Sequence, residues 1–253
     1  MIPAQRQQAI ITILEQQGIV GIAELTDSFG VSHMTIRRDI QYLAEKGQVV
    51  LISGGVRLAE SLETEPPRKV KTALQFTEKA LIAREAALNV AQGTTVYLDA
   101  GTTCLAIATQ LAQRDDITVL TNDFAIASYL IESSQCELYH TGGRVVRENE
   151  SCAGESAARF IAGVNIDISF ISAPSWDMQY ISTPMESKVP VKQAAVAASA
   201  RNILVSDSSK YGKVGFFKAV PLRDLDAVIT DNGLDPLVRK ALTTMGLDVV
   251  IAS

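Results

Sequence analysis

Val31-Ser32-His33-Met34-Thr35-Ile36-Arg37-Arg38-Asp39-Ile40 is the stretch that decides how this chain is read. Ser32 has the side chain of a helix N-cap, and Ile36 and Ile40 fall one turn apart on a single face. The first two turns then present His33, Met34, Thr35, Arg37 and Arg38. A short, basic helix start of this kind suits the major groove of DNA. Arg pairs bidentately with guanine, Thr meets a thymine methyl, and both hold phosphates. The stretch reads as the second helix of a helix-turn-helix.

Its flanks agree. Arg6 to Gln16 carries Ile10, Ile13 and Leu14 at helical spacing and stops at Gly18. Ile22 to Phe29 makes a second helix, with Ile22, Leu25 and Phe29 inward, and Gly30 supplies the tight turn before Val31. The recognition helix continues through Leu43 to Lys46, where Gly47 closes it. Val49 to Ile52 and Val56 to Leu58 flank Ser53-Gly54-Gly55 and predict a hairpin. Three helices followed by a hairpin predict a winged helix-turn-helix over residues 1–58.

In this stretch the chain resembles the DeoR family of bacterial repressors. The matching residues are Ser32, Thr35, Ile36, Arg37, Arg38, Asp39, Leu43, Gly47, Gly54 and Gly55. The wing departs from the family pattern, with Leu51, Ile52 and Ser53 standing where Arg and His often precede the Gly pair. Arg57 is then the remaining candidate for a wing contact to phosphate. The expected DNA-binding set is Ser32, His33, Met34, Thr35, Arg37, Arg38 and Arg57.

A chain of 253 residues is long for one core and comfortable for two. Its net charge of −5 excludes a broadly basic DNA-coating protein. Within residues 1–58, Arg6, Arg37, Arg38, Lys46 and Arg57 balance Glu15, Glu24, Asp27, Asp39 and Glu45. A neutral reading head implies modest, salt-sensitive affinity per monomer, which favours a homo-oligomer, a dimer or tetramer. The absence of a signal peptide and of a long apolar run predicts a cytoplasmic protein. Cys104, Cys136 and Cys152 lack metal spacing and read as free thiols, and His33 and His140 add no zinc site. Neither cofactor nor metal is expected.

Residues 59–74 are polar and interrupted by Pro66-Pro67, which predicts an extended linker. Beyond them strands and helices alternate. Strands are expected at 95–99, 117–120, 137–141, 168–172, 202–206, 227–230 and 248–251, and helices at 78–92, 103–111, 124–131, 156–162, 189–199 and 236–245. Apolar strands alternating with helices predict an α/β domain over 75–253, built on a mostly parallel sheet covered on both faces. Ligands of such sheets bind beyond the carboxyl ends of the strands. Four polar segments fall there: Asp99-Ala-Gly-Thr-Thr103, Thr121-Asn122-Asp123, Gly142-Gly143-Arg144 and Asp207-Ser-Ser-Lys210. The first opens a helix whose N–H groups suit an anion.

Leu98-Asp-Ala-Gly-Thr-Thr103, Thr121-Asn122, Gly142-Gly143, Gly154-Glu155, Asp207-Ser-Ser-Lys210 and Ile229-Thr-Asp231 also stand in the order of the DeoR effector domain, so the resemblance spans nearly the whole chain. It implies a fold like ribose-5-phosphate isomerase and the CoA-transferases, and a phosphorylated sugar or sugar acid as effector. On that resemblance Gly101, Thr102 and Thr103 hold phosphate. Asp99, Asn122, Gly143, Arg144, Asp177, Glu186, Lys192 and Lys210 line the rest. Ser175-Trp176-Asp177 departs from the common Gly-Ile-Asp, so the resemblance does not name the ligand. Trp176, the single tryptophan, reads either as core or as a pocket wall.

The isomerase likeness raises a rival: a sugar-phosphate isomerase with a DNA-binding appendage. Enediol chemistry needs a carboxylate base and a cation for the oxyanion, and Glu186 with Lys192 or Lys210 supplies the residue types. The isomerase's acidic Asp-Gly-Ala-Asp-Glu cluster is absent, and Ser-Trp-Asp offers one carboxylate. A third reading is a structural DNA-bridging protein with a vestigial pocket. The sequence favours a non-enzymatic regulator, with repression as the sense the resemblance implies.

Overall fold

The structure, a computed structural model, describes residues 1–52 and 55–253. The amino-terminal unit holds α1 (Pro3–Gln17), β1 (Ile19–Gly21), α2 (Ile22–Phe29), α3 (His33–Glu45), β2 (Val49–Ile52) and β3 (Gly55–Leu58). The strands form one antiparallel sheet in the order β1-β3-β2. Ile10, Leu14, Leu25, Ile36, Ile40, Leu43 and Val56 close its core, so the apolar faces of the three helices and the hairpin meet in one interior. β1 has no signal of its own beyond three residues after Gly18. Gly55 lets it approach, because a Cβ there would lie 2.5 Å from the Val20 carbonyl oxygen. The expected turn residues Ser53 and Gly54 lie outside the described residues.

The linker departs from expectation. It forms β4 (Glu60–Leu62) and α4 (Arg68–Ala73), both docked on the rest of the chain. Pro66-Pro67 does block a continuous helix, but the segment is held by ion pairs, which composition does not reveal.

The larger unit runs α5 (Phe76–Ala87), β5 (Thr95–Leu98), α6 (Thr102–Leu111), β6 (Thr118–Thr121), α7 (Phe124–Ser133), β7 (Glu137–His140), β8 (Arg144–Val146), β9 (Ser151–Ala153), α8 (Glu155–Ala162) and β10 (Ile166–Ser172). It continues with β11 (Ser175–Trp176), β12 (Tyr180–Thr183), α9 (Val189–Ala198), β13 (Ser199–Val205), β14 (Lys213–Gly215), β15 (Phe217–Pro221), β16 (Ala227–Asp231), α10 (Pro236–Thr244) and β17 (Asp248–Ala252). Seven strands form one parallel sheet in the order β17-β16-β13-β10-β5-β6-β7. Successive side chains alternate between two cores. Val96, Leu98, Phe170, Ile203 and Ile229 pack with α5, α6 and α7, while Tyr97, Ile171, Leu204 and Val228 pack with α8, α9 and α10. Burial of both faces is why these strands read as continuous apolar runs.

The remaining strands were not legible as such. β11, β12 and β15 make a small antiparallel sheet, and β8 and β9 a hairpin. Trp176 is core: it is fully buried, with its ring edge-on to Tyr211 at 4.9 Å. β14 pairs in parallel with β4 of the linker. The two units share packing as well, since Val50 of β2 sits in the core that holds Trp176 and Tyr211, and α10 packs on β2.

Candidate functional site

The reading helix α3 starts as its sequence dictates. Ser32 Oγ accepts the Thr35 N–H at 3.2 Å and lies 2.9 Å from Thr35 Oγ1. Ile36, Ile40 and Leu43 face inward. Asp39 is also buried, with Arg6 Nε donating to it at 2.5 Å and Gln7 Nε2 at 3.0 Å. That pair fastens α1 to α3. Ser32, His33, Met34, Arg37 and Arg38 are exposed and Thr35 is half-buried. Among the described residues no carboxylate pairs with Arg37 or Arg38. Two free guanidiniums on the exposed face of a capped helix give a compact cationic surface within a neutral domain.

Arg57 does not join it. Its Nη1 donates to the Leu58 carbonyl at 3.1 Å and its Nη2 to the Tyr211 carbonyl at 3.4 Å, so it faces the larger unit. The wing therefore offers its arginine to an interdomain contact in this structure.

The second site lies where the parallel sheet changes direction. From β5 the chain moves through α6 to β6 and β7, whereas β10, β13, β16 and β17 extend the opposite way. The crevice outside β5 and β10 is the topological switch point, the usual ligand position in such sheets. Ala100, Gly101, Thr102 and Thr103 line it from the β5 side, and Ser172, Ala173 and Pro174 from β10. The two loops touch: a Cβ on Gly101 would fall 2.9 Å from Ser172 Oγ. Ser206, Asp207 and Lys210 enter from the end of β13, and Lys188 and Lys192 from the start of α9. A smaller chamber behind, lined by Asp99, Asn122, Ser151, Lys188 and Lys192, continues the cleft inward.

Its polar groups are held firmly. Lys192 Nζ donates to Asp99 Oδ2 and to the Ser172 carbonyl, the latter at 2.6 Å. Ser172 N–H and Oγ each meet Asp99 Oδ2 at 3.1 Å. Tyr97 donates to Asn122 Oδ1 at 3.0 Å, and burial with Asp99 nearby pushes its phenol well up. Asp123 Oδ2 takes the Gly101 N–H at 3.0 Å and Arg68 Nη1 at 2.5 Å, which ties the linker to the loop that opens α6.

The linker supplies the outer wall through Glu65, Lys71 and Leu74. Glu65 accepts Lys188 Nζ on both oxygens at 2.8 Å and Lys71 Nζ at 3.0 Å. Burial alone would raise its carboxyl, but the two ammonium groups outweigh that and hold it at about 2. Burial pulls Lys188 below the ordinary lysine range despite Glu65, and Lys79 likewise despite Asp207. Across cleft and chamber, Lys71, Lys79, Lys188, Lys192 and Lys210 face Glu65, Asp99 and Asp207. Five ammonium groups against three carboxylates, beside the free N–H groups of α6, make an anion site.

The structure thus brings together Asp99, Gly101, Thr102, Thr103, Asn122, Lys192 and Lys210 of the expected set. It separates four. Gly143 and Arg144 are exposed where the chain leaves β7, the sheet's far edge, and turns into the β8–β9 hairpin. Asp177 closes the β11–β12 turn, accepting the Gln179 and Tyr180 N–H groups at 2.7 and 2.8 Å. Glu186 is exposed on a 3-10 turn outside the cleft. Glu65, Lys71, Lys79 and Lys188 were missed. Lys188 lies two residues past Glu186, but the linker residues carry no periodic signal. Among the described residues no cluster of His, Cys, Asp and Glu is placed to hold a metal ion, and no helix is long and apolar enough to cross a membrane.

Two family models match this chain: the DeoR-like helix-turn-helix domain over residues 6–62 and the DeoR C terminal sensor domain over residues 74–232. The chain belongs to the DeoR family of transcriptional regulators. It is a DNA-binding regulator and not an enzyme. It is 50% identical over 252 residues to the uncharacterized HTH-type transcriptional regulator YgbI of Escherichia coli strain K12, covering 100% of this chain and 99% of that one. It is 30% identical to the glycerol-3-phosphate regulon repressor of the same organism, over 94% of this chain and 95% of that one. A ribose 5-phosphate isomerase A structure from Methanocaldococcus jannaschii overlaps 53% of each chain at a TM-score of 0.39 and 14% identity.

Proposed function

We propose that this regulator represses a carbohydrate catabolism operon and is governed by a phosphorylated sugar or sugar acid bound in the switch-point cleft. The observation that carries this reading is the convergence of the α6 amino terminus with five lysines at one crevice. Residues 1–58 read the operator in double-stranded DNA through Ser32, His33, Met34, Thr35, Arg37 and Arg38. Residues 75–253 bind the effector and hold a homo-oligomer together in the cytoplasm, and residues 59–74 join the two. The phosphate sits at the Gly101-Thr102-Thr103 turn, on the donors of Thr102 and Thr103 because Asp123 holds the Gly101 N–H, with Lys210 and Lys192 beside it, and Asp99 and Asn122 meet the hydroxyl-bearing end. Ligand binding shifts operator occupancy by as much as its affinity differs between the two geometries of the reading heads. The name of the glycerol-3-phosphate regulon repressor supports the same class of signal.

Thr102→Leu tests this. The substitution adds bulk and removes a hydroxyl at the amino terminus of α6, far from α3. Calorimetry with phosphorylated sugars and sugar acids should show binding to the wild type and none to Thr102→Leu, while operator binding persists in gel shifts. Unchanged effector binding by the variant, or an uncharged effector, overturns the placement.

A further inference from the structure

We infer that Glu65 is a built-in occupant of the effector cleft, a carboxylate that the ligand's anion must displace, and that its departure unlatches the linker from the sensor domain. This rests on the cleft being the effector site.

Glu65 spends both oxygens on Lys188 and one also on Lys71, and its side chain is only 5% exposed. It lines the same cleft as Gly101, Thr102, Thr103 and Lys210. Among the described residues Lys210 has no ion-pair partner, whereas Lys188 and Lys71 are already neutralised. A phosphoryl group drawn to α6 and Lys210 therefore meets a third carboxylate, with Asp99 and Asp207, in a confined space. Like charges a few ångströms apart in such surroundings repel strongly. One anion has to leave.

Glu65 is the one that can. Asp99 is fixed at the end of β5 by the Ser172 N–H and Lys192, and Asp207 at the end of β13 by the Ser209 N–H. Glu65 stands between β4 and α4, where among the described residues no backbone hydrogen bond ties 63–66 to the sensor domain. Its side chain is the latch of that stretch. Once Lys188 and Lys71 turn to the ligand, residues 63–66 lose their anchor, and the linker is held at α4 by Arg68 and by Lys79, which donates to the Lys71 and Leu74 carbonyls, and at its other end by the β4–β14 pairing. That pairing adjoins the wing: Glu60 N–H donates to the Gly212 carbonyl at 3.0 Å, and Gly212 abuts Arg57 and Val50. Anion exchange at Glu65 therefore reports occupancy of the cleft to the DNA-reading unit.

The experiment uses the full chain, with inorganic phosphate as probe and trypsin acting at Lys69 and Lys71 as a reporter of the linker. Glu65→Gln should bind phosphate about tenfold tighter than wild type, within the usual range of coupling between two sites. Its linker should be cut rapidly with or without phosphate, whereas wild-type cleavage should speed up as phosphate saturates. Lys188→Gln should bind phosphate more weakly. No tightening in Glu65→Gln, or wild-type cleavage that phosphate leaves unchanged or slows, overturns the latch. Thr102→Leu separates the two readings: loss of phosphate binding there keeps the cleft as the anion site whatever Glu65 does, and unaltered binding removes both. Should Glu65→Gln fail to fold, Glu65→Asp keeps the charge one methylene shorter and should fall between the two.

Discussion

Substituting Arg37 and Asp39 by alanine is expected to produce two different failures, although the residues are two apart. Arg37 and Arg38 are exposed and unpaired among the described residues, so Arg37→Ala and Arg38→Ala should leave thermal melting unchanged and weaken operator binding. A lost base contact costs about 1–3 kcal/mol and relaxes sequence preference, while a lost phosphate contact weakens all sequences and lowers the salt slope by about one. Asp39 is buried against Arg6 and Gln7. Asp39→Ala strands a buried guanidinium and should cost about 3–5 kcal/mol in urea unfolding of the reading unit. Operator binding of normal affinity by both arginine variants would misplace the DNA face. The contrast also explains why a DNA-reading motif contains an acidic residue: Asp39 is buried and fastens the helix to α1.

The linker is where the sequence told least. α3, β5, β10 and the residues Asp99, Gly101, Thr102 and Thr103 were legible because capping, apolar runs and strand-end polarity are local signals. Glu65, Lys71 and Lys188 meet across 123 positions of chain, and in sequence such charges look like a solvated tether. Arg144 lies away from the cleft for the complementary reason. It does follow a strand, but strand order places that strand at the sheet's edge, and strand order is not local. The placement of Arg57 was not legible because its partner is a carbonyl contributed by Tyr211. Burial of the Glu65 cluster has a consequence in acid. Its carboxyl titrates at about 2 when docked against 4.5 when released, so docked Glu65 binds fewer protons. The stabilisation is fully present above about pH 4.5 and fades as pH falls towards 2. The stability difference between wild type and Glu65→Gln, measured by denaturant unfolding, should therefore shrink across that window. A difference independent of pH there would mean that the carboxylate is not held by the lysines.

Residues 1–60 as an isolated fragment should bind operator far more weakly than the full chain. The fragment's charge is nearly balanced, and in the proposed homo-oligomer two heads joined through the sensor domain would raise avidity by about 10²–10⁴. Fluorescence anisotropy on one operator duplex compares the two directly, and equal affinities would count against an oligomeric regulator.

Val50 gives the contact between wing and sensor domain a further meaning. A side chain of the reading head completes the apolar interior that encloses Trp176 and Tyr211. The two halves are thus not interchangeable cassettes. A hybrid biosensor that grafts this head onto a foreign ligand domain would inherit an orphaned valine and an arginine seeking the Tyr211 carbonyl, and would leave an open socket behind. The natural unit of transplantation is the head together with β4, β14, the Tyr211-Gly212 turn and α10, so drift in either half constrains what the other can become.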